Sequence, residues 1–260
     1  MADNRGYRYG DGLFETMKVI KGKILLESYH FERLFKGLKL LQFTLPALLT
    51  PAMLRRKVLA LASRNKCERL GRVRLSIYRG HGGLYDSSKA QYLIECWPVE
   101  ETVNRINENG QVIDIFPNAR KSCDLYSNLK SANFLTYSMA AQYAMDNKLN
   151  DCLVSNVMGH LADATIANLF LVKNKLVITP SLAEGCVEGV MRRHLIDRLK
   201  DSAFDVREGV VTKNDLETFE EAFLTNTMYG IRWVGRFRKK IYTNHQTLKI
   251  YRDFVTPLFS

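Results

Sequence analysis

Between Pro117 and Ser127 the stretch PNARKSCDLYS interrupts a chain that otherwise alternates between strand and helix patterns. The periodic pattern breaks across it, which makes this stretch the best candidate for a linker. This predicts an N-terminal α+β domain over 1–117, an interdomain linker over 118–127 and a C-terminal α+β domain over 128–260. No apolar run approaches the roughly 20 residues of a membrane span, and an apolar content of 46% argues against disorder. The opening MADNRGYRYGDG lacks a signal peptide's apolar stretch. The five cysteines are widely spaced, with no C-x-x-C pair. A cytoplasmic protein without a metal site or disulfide framework is the expectation.

The first half opens with a hairpin pattern, FETMKVI, a turn at Lys21-Gly22 and KILLE. Apolar spacing predicts a helix over Tyr29–Gln42, and Thr50-Pro51 marks the start of another that ends near Asn65. In Arg72–Tyr78, Val73, Leu75 and Ile77 alternate with Arg72, Arg74 and Ser76, giving one apolar and one basic face. YLIECW and QVIDIF read as further strands. Beyond the linker, Leu129–Asn147 reads as helix, followed by the strands DCLVS, NLFLVK and LVITP. A helix over Gly189–Leu199, the strand FDVREGVV, a Thr212/Asp215 capping box, the strands EAFLTNT and WVGRF, and a helix over Asn244–Phe259 complete the chain.

A total of 38 Lys and Arg against 27 Asp and Glu gives a formal net charge of +11. Such a balance favours anionic partners. The densest basic cluster, Arg236 to Lys240, reads as a solvated hairpin, and no nucleic-acid partner is expected. Five places could carry chemistry. Lys130, in SNLKSAN, is by position a solvated lysine at a helix start, or a Schiff-base lysine if its amine is kept neutral. Asp163 sits between two strands in an apolar stretch. It is either a turn aspartate or a carboxylate held against a heterocyclic nitrogen. Gly189, before a helix, exposes N–H groups to an anion. Asn226 and Thr227, at the end of a strand, are possible phosphate donors or an ordinary polar turn. His30 and Arg33 share one helix face.

The order of these segments is more informative than any one of them. GDGLFET, HFERL, VRLSIYRG, LKSAN, G-x-x-x-D-x-x-x-x-NLF, TP…GVMRR and LTN follow one another from about Tyr9 onward. In that order they resemble the class IV aminotransferases, the fold-type IV pyridoxal-phosphate enzymes. These include branched-chain and D-amino-acid aminotransferases and aminodeoxychorismate lyases. The resemblance implies a two-domain α+β fold like that of D-amino-acid aminotransferase. Pyridoxal 5'-phosphate would lie at the domain interface, usually in a homodimer.

Carried over by position, the resemblance makes Lys130 the residue that bears the cofactor and moves the substrate's protons. Arg33 would grip the phosphate, with the amides of Val190 and Met191 after Gly189, and with Asn226 and Thr227 opposite. Asp163 stands where the family usually has a glutamate on the pyridine nitrogen, one methylene longer. The wording GDGLFET and the compact length are nearer to the lyases and D-amino-acid enzymes than to the branched-chain ones. Arg120 falls close to a carboxylate-binding arginine of the lyases, and Arg79 is a second candidate for substrate carboxylates. A 4-amino-4-deoxychorismate lyase forming 4-aminobenzoate and pyruvate for folate synthesis is the leading expectation. A branched-chain or D-amino-acid aminotransferase and a catalytically silent basic binding protein are the alternatives.

Overall fold

The computed structural model describes residues 3–260. The chain divides into two compact units, one running to Val103 and including Leu129–Asn133, the other comprising Asn104–Asn128 and Phe134–Ser260. In the first unit the order is α1 (Arg5–Tyr9), β1 (Gly12–Ile20), β2 (Lys23–Ile24), α2 (Glu27–Leu40), α3 (Pro51–Arg64), β3 (Leu70–Arg79) and β4 (Ala90–Pro98). The strands form one antiparallel sheet in the order β2-β1-β3-β4. The β1–β2 turn falls at Lys21 (φ 50°) and Gly22 (φ 73°). Two successive left-handed residues match the twist of the strands they join, which is why glycine is needed there.

Register pairs Leu13 with Ile77 and Met17 with Val73, so Leu13, Met17, Val19, Val73, Leu75 and Ile77 share one face. On that face they meet Phe31, Leu34 and Leu38 of α2 and Leu54 and Val58 of α3 in the unit's core. Each such side chain contributes about 1.5–3 kcal/mol on burial. The opposite face carries Phe14, Thr16, Arg72, Arg74 and Ser76. The segment Leu129–Asn133 corrects the helix expected from Leu129. It lies extended against β1, where the Phe14 N–H donates to the Lys130 carbonyl and the Ala132 N–H to the Gly12 carbonyl. The helix begins only at Leu135.

The second unit runs β5 (Gln111–Ile115), α4 (Leu135–Asp146), β6 (Asp151–Ser155), β7 (Leu161–Ala164), β8 (Asn168–Lys173), β9 (Leu176–Pro180), α5 (Val190–Lys200), β10 (Asp205–Gly209), α6 (Lys213–Thr218), β11 (Glu221–Asn226), β12 (Gly230–Phe237), β13 (Lys240–Ile241), α7 (His245–Phe254) and α8 (Thr256–Phe259). Its nine strands form one sheet in the order β10-β9-β8-β11-β12-β5-β6-β7, with β13 on β12. The pairs β10–β9, β12–β5 and β5–β6 are parallel and the others antiparallel. The stretch expected as a linker belongs to this unit. The division falls ahead of residue 117 because β5 pairs with β6 and β12 and so draws the preceding chain into the second sheet.

Local sequence sets several of these boundaries. The Thr212 hydroxyl accepts from the Asp215 N–H while the Asp215 carboxylate accepts from the Thr212 N–H, the expected capping box. Glu221 of β11 caps α7 from outside, its carboxylate accepting from the N–H groups of Gln246 and Thr247. The last helix is broken at Val255 rather than continuous to Phe259, because Pro257 lacks the N–H that a continuing helix needs. Among the described residues no helix is long and apolar enough to cross a membrane.

Candidate active site

In the first unit, Lys130 is half-buried, its Nζ 4.6 Å from the centre of the Phe14 ring. The Arg74 guanidinium lies 3.7 Å from the same ring centre. On the other face of β1, Glu15 takes a core position between Leu13 and Met17 and is 1% exposed. A carboxylate buried this deeply needs partners. Arg33 supplies two, with Nε donating to Oε1 at 2.8 Å and Nη2 to Oε2 at 2.5 Å. His30 Nδ1 lies 2.6 Å from Oε2. Burial alone would raise the Glu15 carboxyl, but Arg33 and then His30 bring it down to about 2. His30 itself is lowered by burial, against the pull of Glu15 and with the nearby charges of Arg33 and Lys130. Arg79 is engaged by Asp11 (2.7 Å), by the Leu41 carbonyl (2.5 Å) and by the Phe43 ring.

In the second unit, Asp163 lies within β7 rather than between strands, paired with Val154 and 2% exposed. Its Oδ2 accepts from the Val187 N–H (2.7 Å), the Tyr137 hydroxyl (3.0 Å) and Lys121 Nζ (3.1 Å). Three residues past Val187, within about 10 Å along the chain, α5 begins with Gly189 as its cap and no capping side chain. Among the described residues the N–H groups of Val190 and Met191 meet no protein acceptor, although both residues are buried. A Cβ on Gly189 would stand 1.8 Å from Asn168 Oδ1. Asn168 is opposite Thr225 in the β8–β11 register, which brings the end of β11 to the start of α5. Thr227 is buried there, and Asn226 Oδ1 accepts from the N–H groups of Met228 and Tyr229. Arg120 is exposed, close to Gly159.

The structure therefore groups Lys130, Arg33 and Arg79 in one unit, and Asp163, Gly189, Val190, Met191, Asn226, Thr227 and Arg120 in the other. The model of the family described as amino-transferase class IV matches residues 12–237. The chain belongs to that family. Among relatives, an aminodeoxychorismate lyase of Vibrio harveyi is 29% identical over 234 residues, 88% of this chain and 83% of its own. The crystal structure of 4-amino-4-deoxychorismate lyase from Pseudomonas aeruginosa is 26% identical with a TM-score of 0.85, covering 98% of this chain and 95% of that one. The branched-chain aminotransferase of Thermoproteus uzoniensis superposes with a TM-score of 0.90 at 20% identity, covering 100% of this chain and 89% of that one. At that identity the likeness is one of fold, and it agrees with the expected fold-type IV architecture.

The second unit brings together groups of the kind that can hold a phosphorylated pyridine. Like the leading amides of any helix, those of Val190 and Met191 have no acceptor in their own helix, no side chain caps them, and the glycine before them keeps that approach clear, so they can receive an anion. A buried carboxylate close by suits a ring nitrogen. Four residues of these clusters escaped the sequence reading: Glu15, Lys121, Tyr137 and Asn168. Glu15 had a signal, since a charge at the parity of Leu13, Met17 and Val19 falls on the apolar face of the strand. Lys121 and Tyr137 had none, because pairing across β6 and β7 brings them to Asp163. A groove of about 570 Å³ lined by Leu48, Met53, Arg56, Lys57 and Tyr78, among others, contains none of the site residues.

Proposed function

We propose that the protein is a pyridoxal-phosphate-dependent 4-amino-4-deoxychorismate lyase, releasing 4-aminobenzoate and pyruvate, and that it works as a homodimer. The observation that carries the reading is similarity to lyases over most of the chain, 29% identity to the Vibrio harveyi enzyme, and it is supported by the buried Asp163 carboxylate and the uncapped start of α5 in the second unit. Pyridoxal phosphate would supply an electron sink at the carbon bearing the substrate's amino group. Lys130 Nζ would carry the cofactor, then take the proton from that carbon and return one to the departing enolpyruvyl group. The N–H groups of Val190 and Met191, with Thr227, Asn226 and Arg33, would hold the phosphate, whose charge of about −1.5 to −2 suits an arginine and a helix start. Asp163 would face the ring nitrogen and favour its protonated form. Arg120, an exposed residue, is the better placed of the two arginines for a substrate carboxylate. Arg79 already serves Asp11 and Leu41.

In this reaction the atoms balance without a second substrate, and that decides the test. Purified protein given pyridoxal phosphate and aminodeoxychorismate, with no keto acid, should form 4-aminobenzoate and pyruvate in equal amounts over many turnovers. Turnover only when an amino-acid donor and a keto-acid acceptor are both present would establish an aminotransferase instead. Borohydride treatment followed by peptide mapping should place the cofactor on Lys130, and a label elsewhere would refute that assignment.

A further inference from the structure

We infer that Lys121 is a positioning residue that holds the short carboxylate of Asp163 in place and weakens its grip on a proton carried by the cofactor's ring nitrogen. The inference rests on the pyridoxal-phosphate reading and concerns a residue that this reading leaves unused. Lys121 Nζ lies 3.1 Å from Asp163 Oδ2, and the two side chains are 10% and 3% exposed. The lysine is fixed from several sides. Its N–H donates to the Ser155 carbonyl and its carbonyl accepts from the Val157 N–H, both at 2.9 Å. The ammonium lies 5.0 Å from the centre of the Tyr137 ring and also reaches the Ser127 carbonyl at 3.4 Å.

Three donors converge on Oδ2, whereas among the described residues Oδ1 receives only the Tyr137 hydroxyl at 3.3 Å. One hydroxyl proton serves one oxygen at a time, so Oδ1 keeps lone pairs for an outside donor. A protonated ring nitrogen would be that donor, and it would face both an anion and the cation paired with it. The carboxylate favours the proton and the ammonium opposes it. Positioning has the same origin. Three donors converging on one oxygen fix the short side chain of Asp163 in a single orientation.

The other groups around the carboxylate do not share this part. Tyr137 is pushed well above its ordinary value, first by burial and then by Asp163, and stays neutral. Cys186 is pushed up to about 12, again by burial first and then by Asp163. Arg192, beyond Cys186, is paired with Glu208 at 2.7 Å. Among the described residues Lys121 is the cation that contacts Asp163.

The test uses whole protein loaded with pyridoxal phosphate carrying ¹⁵N in the ring, whose resonance reports protonation of that nitrogen directly. Wild type, Lys121→Met, Lys121→Gln, Lys121→Arg and Asp163→Asn are followed against pH. Both neutral Lys121 variants should hold the ring proton at least about one pH unit higher than wild type, a tenfold gain in proton affinity. Lys121→Arg should stay near wild type, and Asp163→Asn should shift the other way. Coincident titrations in wild type and both neutral variants, with cofactor bound to all, would overturn the inference and leave the cofactor assignment standing. A wild-type protein that takes up no pyridoxal phosphate would instead sink the functional reading. Independently of cofactor, urea unfolding of the apo forms should show Lys121→Met and Asp163→Asn to be non-additive. Additive effects would remove the ion pair and the inference with it.

Discussion

Glu15 is the residue whose energetics reach furthest beyond its own position. Its carboxyl falls to about 2 in the folded chain from an ordinary value of 4.5, so it adds stability above pH 4.5 that is lost as pH falls toward 2. His30, lowered from 6.5, acts with the same sign, since the unfolded chain takes up a proton below pH 6.5 before the folded one does. Stability should therefore fall with acid in both windows. Glu15→Gln should remove the lower window and cost on the order of 3 kcal/mol at pH 7, because it leaves Arg33 without its buried counter-charge. Urea unfolding followed by circular dichroism at pH 7, 5 and 3.5 measures both effects. A variant as stable as wild type at pH 7 would show that the carboxylate contributes no net stability. The pairing of His30 and Arg33 on one helix face was legible in the sequence. Their common partner was legible only by strand parity, as a charge among Leu13, Met17 and Val19.

Elements whose signals are local were the ones that could be read. The Thr50 cap, the Thr212/Asp215 box, the Lys21-Gly22 turn and the alternation in β3 each need only a few neighbouring residues. Lys130 and Asp163 failed that test for one reason. The extended conformation of Leu129–Asn133 is imposed by β1, more than a hundred residues earlier, and β7 exists because β6 pairs with it. Nothing in LKSAN or GHLADA announces either partner. The start of α5 lies between these cases. Gly189 before a helix was visible, but its purpose became clear only with Asn168 Oδ1 standing 1.8 Å from where a Cβ would be. Gly189→Ala should therefore displace Asn168 or the first turn of α5. Pyridoxal-phosphate affinity should fall by about tenfold or more, the scale of one hydrogen bond to a charged group, with little change in the far-ultraviolet dichroism. Unchanged affinity in a cofactor titration would mean that the α5 amides do not hold the phosphate. Mutation of Arg238, which lies in the exposed hairpin turn after β12, provides the comparison, and cofactor affinity should not change there.

At the scale of the whole chain the governing quantity is the net charge of +11. Basic residues are distributed along the sequence, so the charge acts as a field as well as through single contacts. That field has two consequences of opposite sign. Self-repulsion works against the compact state, while attraction of anions raises the encounter rate with a substrate carrying two carboxylates. Salt screens both, since the Debye length shortens from about 20 Å to about 6 Å between roughly 25 and 250 mM ionic strength. Across that range at pH 7.5, with sodium chloride as the only variable, the melting temperature should rise. Over the same range kcat/KM for aminodeoxychorismate should fall several-fold while kcat stays nearly constant. Contacts formed after encounter, such as those proposed for Arg120, are short and screened far less, so an Arg120→Ala variant should lose affinity yet keep the same salt slope. A kcat/KM independent of salt would assign substrate capture to such contacts alone and leave the excess charge with no part in the reaction.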